Sequence, residues 1–197
     1  MRIYTILKAI YKSLLKEKNE IMYICSKIEH IWTLKKRIYI YCNFNSKIMK
    51  NLKILDCTLR DGGYYTNWQY DLNLVNDYLS CMSDLKIDFV EIGLKGSSRE
   101  KGFGSFAYTE EKLINKLNKP SKLKISIMIN ATDIKNQKFI EQIPNKKSSK
   151  VVLYRIATHF KDLDKAIQAG NLLKKKGYLV GINLMQISSY EANKLTD

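Results

Sequence analysis

The chain has 197 residues, of which 45% are hydrophobic and 27% are charged, a composition that excludes disordered and fibrous proteins and fits one domain. Lysine and arginine outnumber aspartate and glutamate by 34 to 19, so the formal net charge is +15. Lysines interrupt every apolar run, which excludes a membrane-spanning helix, and the four cysteines are scattered without a CxxC pair. We therefore expect a soluble protein in the reducing environment of the cytoplasm.

The positive charge raises nucleic acid and anionic membranes as partners, since basic residues release counterions from phosphates and are attracted to acidic lipids. Only five of the 34 basic residues are arginines, the residue type suited to bidentate contacts with phosphates and base edges. We favour a diffuse lysine surface and expect no nucleic acid partner.

Residues 1–48 form a basic extension with ten lysines and arginines and three glutamates. Its first apolar residues follow the spacing of one face of a helix: Ile3, Ile6, Leu7, Ile10 and Leu14. A basic amphipathic helix could lie on a membrane or dock on a partner. The alternative, which we favour, is a poorly ordered extension or translated upstream sequence ahead of a true start at Met49.

Residues 49–197 alternate between short β-branched runs and amphipathic segments. The runs predict strands at Lys53–Cys57, Phe89–Leu94, Lys124–Ile129, Val151–Ile156 and Tyr178–Leu184. The segments predict helices at Leu72–Met82, Glu110–Leu117, Asn136–Ile143 and Leu163–Lys175. This alternation indicates parallel βαβ units, and both a doubly wound sheet and a (β/α) barrel fit it. A Rossmann nucleotide site is disfavoured, because the first strand is not followed by the required glycine-rich turn.

Polar residues follow the first predicted strand, at its C-terminal end, where parallel α/β proteins have their catalytic and ligand-binding residues. Arg60 could hold a carboxylate or a developing enolate oxygen, and the adjacent Asp61 could bind a divalent cation. Gly62 and Gly63 predict a tight turn that brings the backbone close to a ligand. The alternative is a surface Arg-Asp ion pair in a turn.

Candidate residues also follow the later strands. Glu91 ends the second strand, ahead of a glycine-punctuated loop, residues 95–104, that could close over a substrate or be an ordinary surface loop. Asn130 ends the third strand, and we expect nearby Asp133 to be a helix N-cap. His159 follows the fourth strand and is one of only two histidines, although a lone histidine is more often structural than catalytic.

The string Leu55-Asp56-Cys57-Thr58-Leu59-Arg60-Asp61-Gly62-Gly63 resembles the first-strand signature of the DRE-TIM metallolyases, the HMG-CoA lyase-like superfamily of aldolases, acyl-CoA lyases and 2-isopropylmalate synthases. Three further regions are similar to the 4-hydroxy-2-oxovalerate aldolase branch: Val90–Gly93 with Gly96–Ser98 and Gly102–Gly104, then Arg155–His159, then Gly181–Met185. The resemblance covers about residues 49–190 and implies part of a TIM (β/α)8 barrel, about five βα units long.

The resemblance implies carbon-carbon bond cleavage or formation through a pyruvate enolate. Asp61 is then a ligand of Mn²⁺ or Mg²⁺, and Arg60 stabilises the enolate oxygen. Glu91 and His159 are the further catalytic candidates, from their places after predicted strands. Tyr64 stands where the characterised aldolases have the histidine that serves proton transfer. The implied substrate is a small 2-oxoacid, and the implied partner is an aldehyde dehydrogenase.

Two metal ligands of the family form a His-x-His pair that this sequence does not contain. Five βα units are also fewer than the eight of a barrel. We therefore expect the N-terminal part of a longer protein or an interrupted gene product, or, less simply, half of a split enzyme completed by a C-terminal barrel half. Such a chain should be inactive alone. The alternatives are a non-catalytic remnant, a binding module, or a relative of the synthases and acyl-CoA lyases.

Overall fold

The structure is a computed structural model that describes residues 53–186. The basic extension assigned to residues 1–48 and the domain boundary at residue 49 lie outside the described residues. So does the C-terminal segment from residue 187 onward.

Five parallel strands form a single sheet in which every strand pairs with its neighbours in sequence, in the order β1-β2-β3-β4-β5. Their bounds are β1 Leu55–Asp56, β2 Phe89–Leu94, β3 Lys124–Asn130, β4 Val151–Thr158 and β5 Leu179–Leu184. Helices alternate with the strands, and the sheet curls into a half-barrel. The predicted class, a partial α/β barrel of about five units, is confirmed.

Five α-helices connect the strands. Their bounds are α1 Thr58–Thr66, α2 Leu72–Asp84, α3 Glu111–Asn115, α4 Gln137–Glu141 and α5 Leu163–Lys175. Short 3-10 helices lie at Ser105–Ala107, Ala131–Asp133, Lys146–Ser148 and Phe160–Asp162. Within residues 53–186, no helix has the length and apolar composition of a membrane-spanning segment.

The two faces of the sheet differ in chemistry. The outer face packs against the helices through fully buried apolar side chains, and the space beside Gly170 of α5 is bounded by Ile156, Val180 and Ile182. On the inner face, the register places Glu91 of β2 opposite Ser126 of β3. Because side chains alternate between faces along a strand, the polar residues collect inside the half-barrel.

Helix α1 occupies the place where the sequence predicts a tight turn. A Cβ at Gly63 would lie 1.9 Å from Nε1 of Trp68, so the glycine leaves room for the indole to pack against the helix. Asp56 holds the start of α1, because its carboxylate accepts hydrogen bonds from the Thr58 backbone N–H (3.1 Å) and hydroxyl (2.9 Å). Strand β1 is therefore shorter than predicted.

Two lysine side chains, those of Lys150 and Lys176, have a structural role at the C-terminal ends of helices. Nζ of Lys150 donates to the carbonyls of Asn115 and Leu117 after α3, at 2.9 and 2.8 Å. Lys176 does the same after α4, to the carbonyls of Glu141 and Ile143. A cation at a helix C-terminus satisfies carbonyls that have no partner within the helix. These lysines join neighbouring βα units rather than forming a general anion-binding surface.

The packing of Trp68 on α1 leads to a stability prediction. We expect Gly63→Ala to lower the free energy of unfolding by about 2 kcal/mol or more, because the added methyl overlaps the indole. Gly62→Ala is the matched control on the same helix, since its Cβ would meet only the Tyr70 hydroxyl, at 3.1 Å. Urea denaturation measures both variants. Equal stability of the two would contradict this account of α1.

Candidate active site

A buried carboxylate lies at the centre of the polar inner face. Glu91 of β2 is 0% exposed, and it is held by Arg60 of α1 and Arg155 of β4. Nε of Arg60 donates to Oε1 of Glu91 at 2.9 Å. Arg155 donates through two nitrogens, Nε to Oε2 and Nη2 to Oε1, each at 2.7 Å. We call these three residues the Arg60–Glu91–Arg155 cluster.

The cluster keeps Glu91 ionised. Burial alone opposes ionisation, but the hydrogen bonds and charges of Arg155 and Arg60 outweigh it, so the pKa of Glu91 lies below its ordinary value. Ser126 adds a longer hydrogen bond of 3.4 Å to Oε2. A carboxylate that is ionised and bound on both oxygens is poorly suited to taking up a proton. The hydrogen bonds of Glu91 instead fix the orientation of the two arginines.

Arg60 links the cluster to Asp61. Nη1 of Arg60 forms an ion pair with the Asp61 carboxylate, whose side chain is 44% exposed. Nη2 of Arg60 has no hydrogen-bond partner within residues 53–186. Burial and the nearby charge of Glu91 raise the pKa of Asp61, although Arg60 opposes this. The pair thus offers one unused donor and one partly exposed carboxylate. It is not a surface ion pair in a turn, because the Arg60 side chain is only 12% exposed and lies on a helix.

Cys57 lies beneath the cluster and is excluded as a nucleophile. Nη2 of Arg155 donates to its Sγ at 3.4 Å. Burial first, and then the charge of Glu91, raises the pKa of Cys57 to about 12. Because the thiolate is the reactive form, this thiol is inert near neutral pH.

Tyr64 and His159, the other two predicted site residues, lie outside the cluster. Tyr64 is on α1, 57% exposed, and its ring meets the ring of Trp68 edge to face at a centroid distance of 4.8 Å. His159 follows β4 and is half-buried, and its carbonyl accepts from the Asp162 backbone N–H. Within the described residues, no hydrogen bond joins either side chain to Arg60, Glu91 or Arg155.

The loop after β2 packs against α1 and the end of β3. Its Gly104 N–H donates to the Asn67 carbonyl at 2.7 Å. Ser97 Oγ and Asn130 Nδ2 each donate to Asp133 at 3.3 Å. The prediction that Asp133 caps a helix is wrong, because Asp133 ends a 3-10 helix and α4 begins only at Gln137. Asp133 instead connects the ends of β2 and β3.

Arg155 belongs to the cluster, but the sequence prediction did not include it among the site residues. Its position provided a signal, since it is a charged residue within the apolar run of β4, where burial requires an opposite charge. Gly181 on β5 leaves room beside it, because a Cβ there would lie 3.5 Å from Cγ of Arg155.

The described residues do not by themselves fit a divalent metal ion. Within residues 53–186, no three His, Cys, Asp or Glu side chains form a group that could hold one. Asp61 contributes one carboxylate, and Arg60 binds it. A divalent ion bound at Asp61 would require further ligands from outside this part of the chain.

Comparison with solved structures finds a similar aldolase domain. No protein-family model matches the sequence. A crystal structure of the N-terminal domain of a putative aldolase from Bacteroides vulgatus is similar to the chain, with 35% sequence identity and a TM-score of 0.56. The similarity covers 70% of this chain and 46% of that one, so the chain spans less than half of the aldolase domain that it matches.

The cluster leads to a prediction about pH. Since the pKa of Glu91 is lowered from its ordinary value of 4.5 in the folded protein, its contribution to stability is fully present above that pH and is lost as the pH falls through the lowered pKa. We expect Glu91→Gln to cost about 3 kcal/mol at pH 6, because two guanidinium groups with little solvent exposure then face each other without a carboxylate. Urea denaturation at pH 6 and at pH 3 should show this difference shrinking at low pH. A difference that does not change with pH would contradict ionised Glu91.

Proposed function

We propose that the chain is part of an aldolase-type lyase that cleaves or forms a carbon-carbon bond in a small 2-oxoacid through a pyruvate enolate. The observation that carries the proposal is that Nη2 of Arg60 is an unused hydrogen-bond donor. The buried carboxylate of Glu91 binds Nε of the same side chain and so holds Arg60 beside Asp61, after the first strand. The similarity to the Bacteroides vulgatus aldolase domain and the resemblance to the 4-hydroxy-2-oxovalerate aldolases support it.

Arg60 has the chemistry that an enolate requires. When the C3–C4 bond of a 4-hydroxy-2-oxoacid breaks, its electron pair moves to the C2 carbonyl oxygen, while the 4-hydroxyl loses its proton and becomes an aldehyde. A guanidinium that is already oriented stabilises the negative charge on that oxygen without rearranging. Glu91 prevents Arg60 from turning away, and protonation of the enolate at C3 then releases pyruvate.

The proton transfers need a group near the 4-hydroxyl, and we propose Tyr64, with His159 as the second candidate. Tyr64 lies one helical turn beyond Arg60, so the two side chains lie on the same side of α1. Its hydroxyl has no hydrogen-bond partner within residues 53–186, which leaves it available to a substrate. Acting as a relay, its O–H can take up the proton that leaves the 4-hydroxyl and pass a proton on to C3 of the enolate, so that the protons of the cleavage balance.

The remaining parts of the proposal depend on chain segments beyond those described. We propose that Asp61 is one ligand of Mn²⁺ or Mg²⁺, and that a C-terminal barrel half supplies the other ligands and the missing strands. An aldehyde dehydrogenase that consumes the aldehyde product is the proposed partner. A cytoplasmic location is also proposed, and both cysteines within residues 53–186, Cys57 and Cys81, are free thiols.

The test is pyruvate release from a panel of 4-hydroxy-2-oxoacids with Mn²⁺, by the chain alone and by the chain joined to a complementary barrel half. We expect activity only in the completed barrel. There, Arg60→Ala should lower turnover by about 100-fold or more, and Asp61→Asn should weaken Mn²⁺ binding. Arg60→Lys, which keeps a positive charge beside Glu91, should also lower turnover because it lacks the fixed guanidinium fork.

Lys53→Ala is the control, since it removes one partner of an exposed ion pair with Asp88, at 3.0 Å, before the first strand. It should leave turnover unchanged. Wild-type activity in Arg60→Ala would show that the arginine is only structural. A completed barrel that releases no pyruvate from any substrate would favour a non-catalytic remnant or a binding module.

A further inference from the structure

A cleft of about 310 Å³ opens between α1, the loop after β2 and the end of β3. Four aromatic side chains line it: Tyr64, Trp68, Phe103 and Tyr108. It is connected to the cluster through Trp68, whose Nε1–H donates to the Arg60 carbonyl at 3.2 Å. The proposed reaction does not by itself require an aromatic cleft here.

The aromatic wall is held in one arrangement by the backbone. Trp68 is only 4% exposed, and it has a φ of 54°, in the left-handed region that a bulky residue rarely adopts. Its ring meets the ring of Phe103 edge to face at 5.4 Å. A Cβ at Gly104 would lie 2.1 Å from the Trp68 carbonyl oxygen, so glycine permits this close approach of the loop. Strained backbone persists only where the surrounding packing determines it, and it often marks a binding site.

The charge of the cleft is opposite to that of the whole protein. Although the chain carries a net charge of +15, no lysine or arginine of residues 53–186 lines the cleft. Its ionisable lining includes the carboxyl groups of Glu100 and Asp133. The nearby Arg99 stacks on Tyr108 and is paired with Glu110, at 2.6 Å. An anion in this cleft would meet aromatic faces and two acidic residues, whereas a neutral or cationic ring would be well accommodated.

We infer that this cleft binds the part of the substrate remote from its 2-oxoacid group, and that this part is an apolar or aromatic group without negative charge. The inference rests on the proposed function for the identity of the substrate, since Arg60 takes the 2-oxoacid end. Tyr64, on the same helix as Arg60, forms the boundary between the two ends. The cleft therefore selects against substrates with a second carboxylate or a phosphate.

The test measures binding of three ligands of equal size and different charge to the full chain: 2-phenylethylamine, 2-phenylethanol and phenylacetate. The chain has two tryptophans, Trp32 and Trp68, so the indole N–H signal of Trp68 can be assigned in the NMR spectrum with a Trp32→Phe variant. We expect the amine and the alcohol to shift this signal, and phenylacetate to bind at least about tenfold more weakly. Binding of phenylacetate as tight as that of the alcohol, or no shift by any ligand, would overturn the inference.

Variants of neighbouring tyrosines provide a matched comparison. Tyr64→Ala and Phe103→Ala should each weaken binding of 2-phenylethanol by about three- to tenfold, because each removes one aromatic contact. Tyr65→Ala is the control, since Tyr65 is 91% exposed and does not line the cleft. Tyr64→Phe should retain binding, because it keeps the ring. Equal effects of Tyr64→Ala and Tyr65→Ala would also overturn the inference.

The ligand-binding test and the pyruvate-release test distinguish failure of the inferred selectivity from failure of the proposed reaction. If the aromatic ligands bind as expected but the completed barrel releases no pyruvate, the proposed reaction fails and the cleft remains a binding site. If pyruvate is released but phenylacetate binds as well as 2-phenylethanol, the reaction stands and the inferred selectivity fails.

Discussion

The ionised carboxylate of Glu91, buried between two guanidinium groups, is the interaction on which the site depends. Removing a carboxylate from water is costly unless opposite charges and hydrogen bonds replace the lost hydration. Arg60 and Arg155 provide that replacement, from positions 31 and 64 residues away in sequence. The pairing therefore joins α1, β2 and β4 inside the half-barrel, and it forms only when all three elements are correctly placed.

The fold was predictable where one periodic pattern extended over a whole element. The bounds of β2 and α5 agree with the sequence prediction. Helix α5 has an unbroken helical spacing of apolar residues, and β2 is a short, largely apolar run between polar segments. Helix α1 was missed because Gly62 and Gly63 disfavour a helix locally. The packing that stabilises it comes from Trp68, which folds back against Gly63, and such a tertiary contact leaves no local pattern in the sequence.

The candidate site was partly predictable for a related reason. Arg60, Asp61 and Glu91 were identified from their places at strand ends, and the structure brings these three together. The sequence marked Arg155 as a charge within an apolar strand but could not show that it reaches Glu91 on another strand, and the hydrogen bonds in the structure show this pairing. The aromatic cleft was also not predicted. Its aromatic side chains come from α1 with the residues just after it and from the loop after β2, and these two segments approach closely where Gly104 packs against the Trp68 backbone.

The central claim is that Glu91 holds Arg60 in place for an anionic oxygen of the substrate. Its most direct test is an NMR measurement of the arginine Nε–H signals, of which the chain has five. Hydrogen exchange of the Arg60 and Arg155 signals should be at least about tenfold slower than that of Arg99, whose side chain is 70% exposed. Pyruvate should then perturb Arg60 more than Arg155. Exchange at Arg60 as fast as at Arg99, or no response of Arg60 to pyruvate, would contradict the claim.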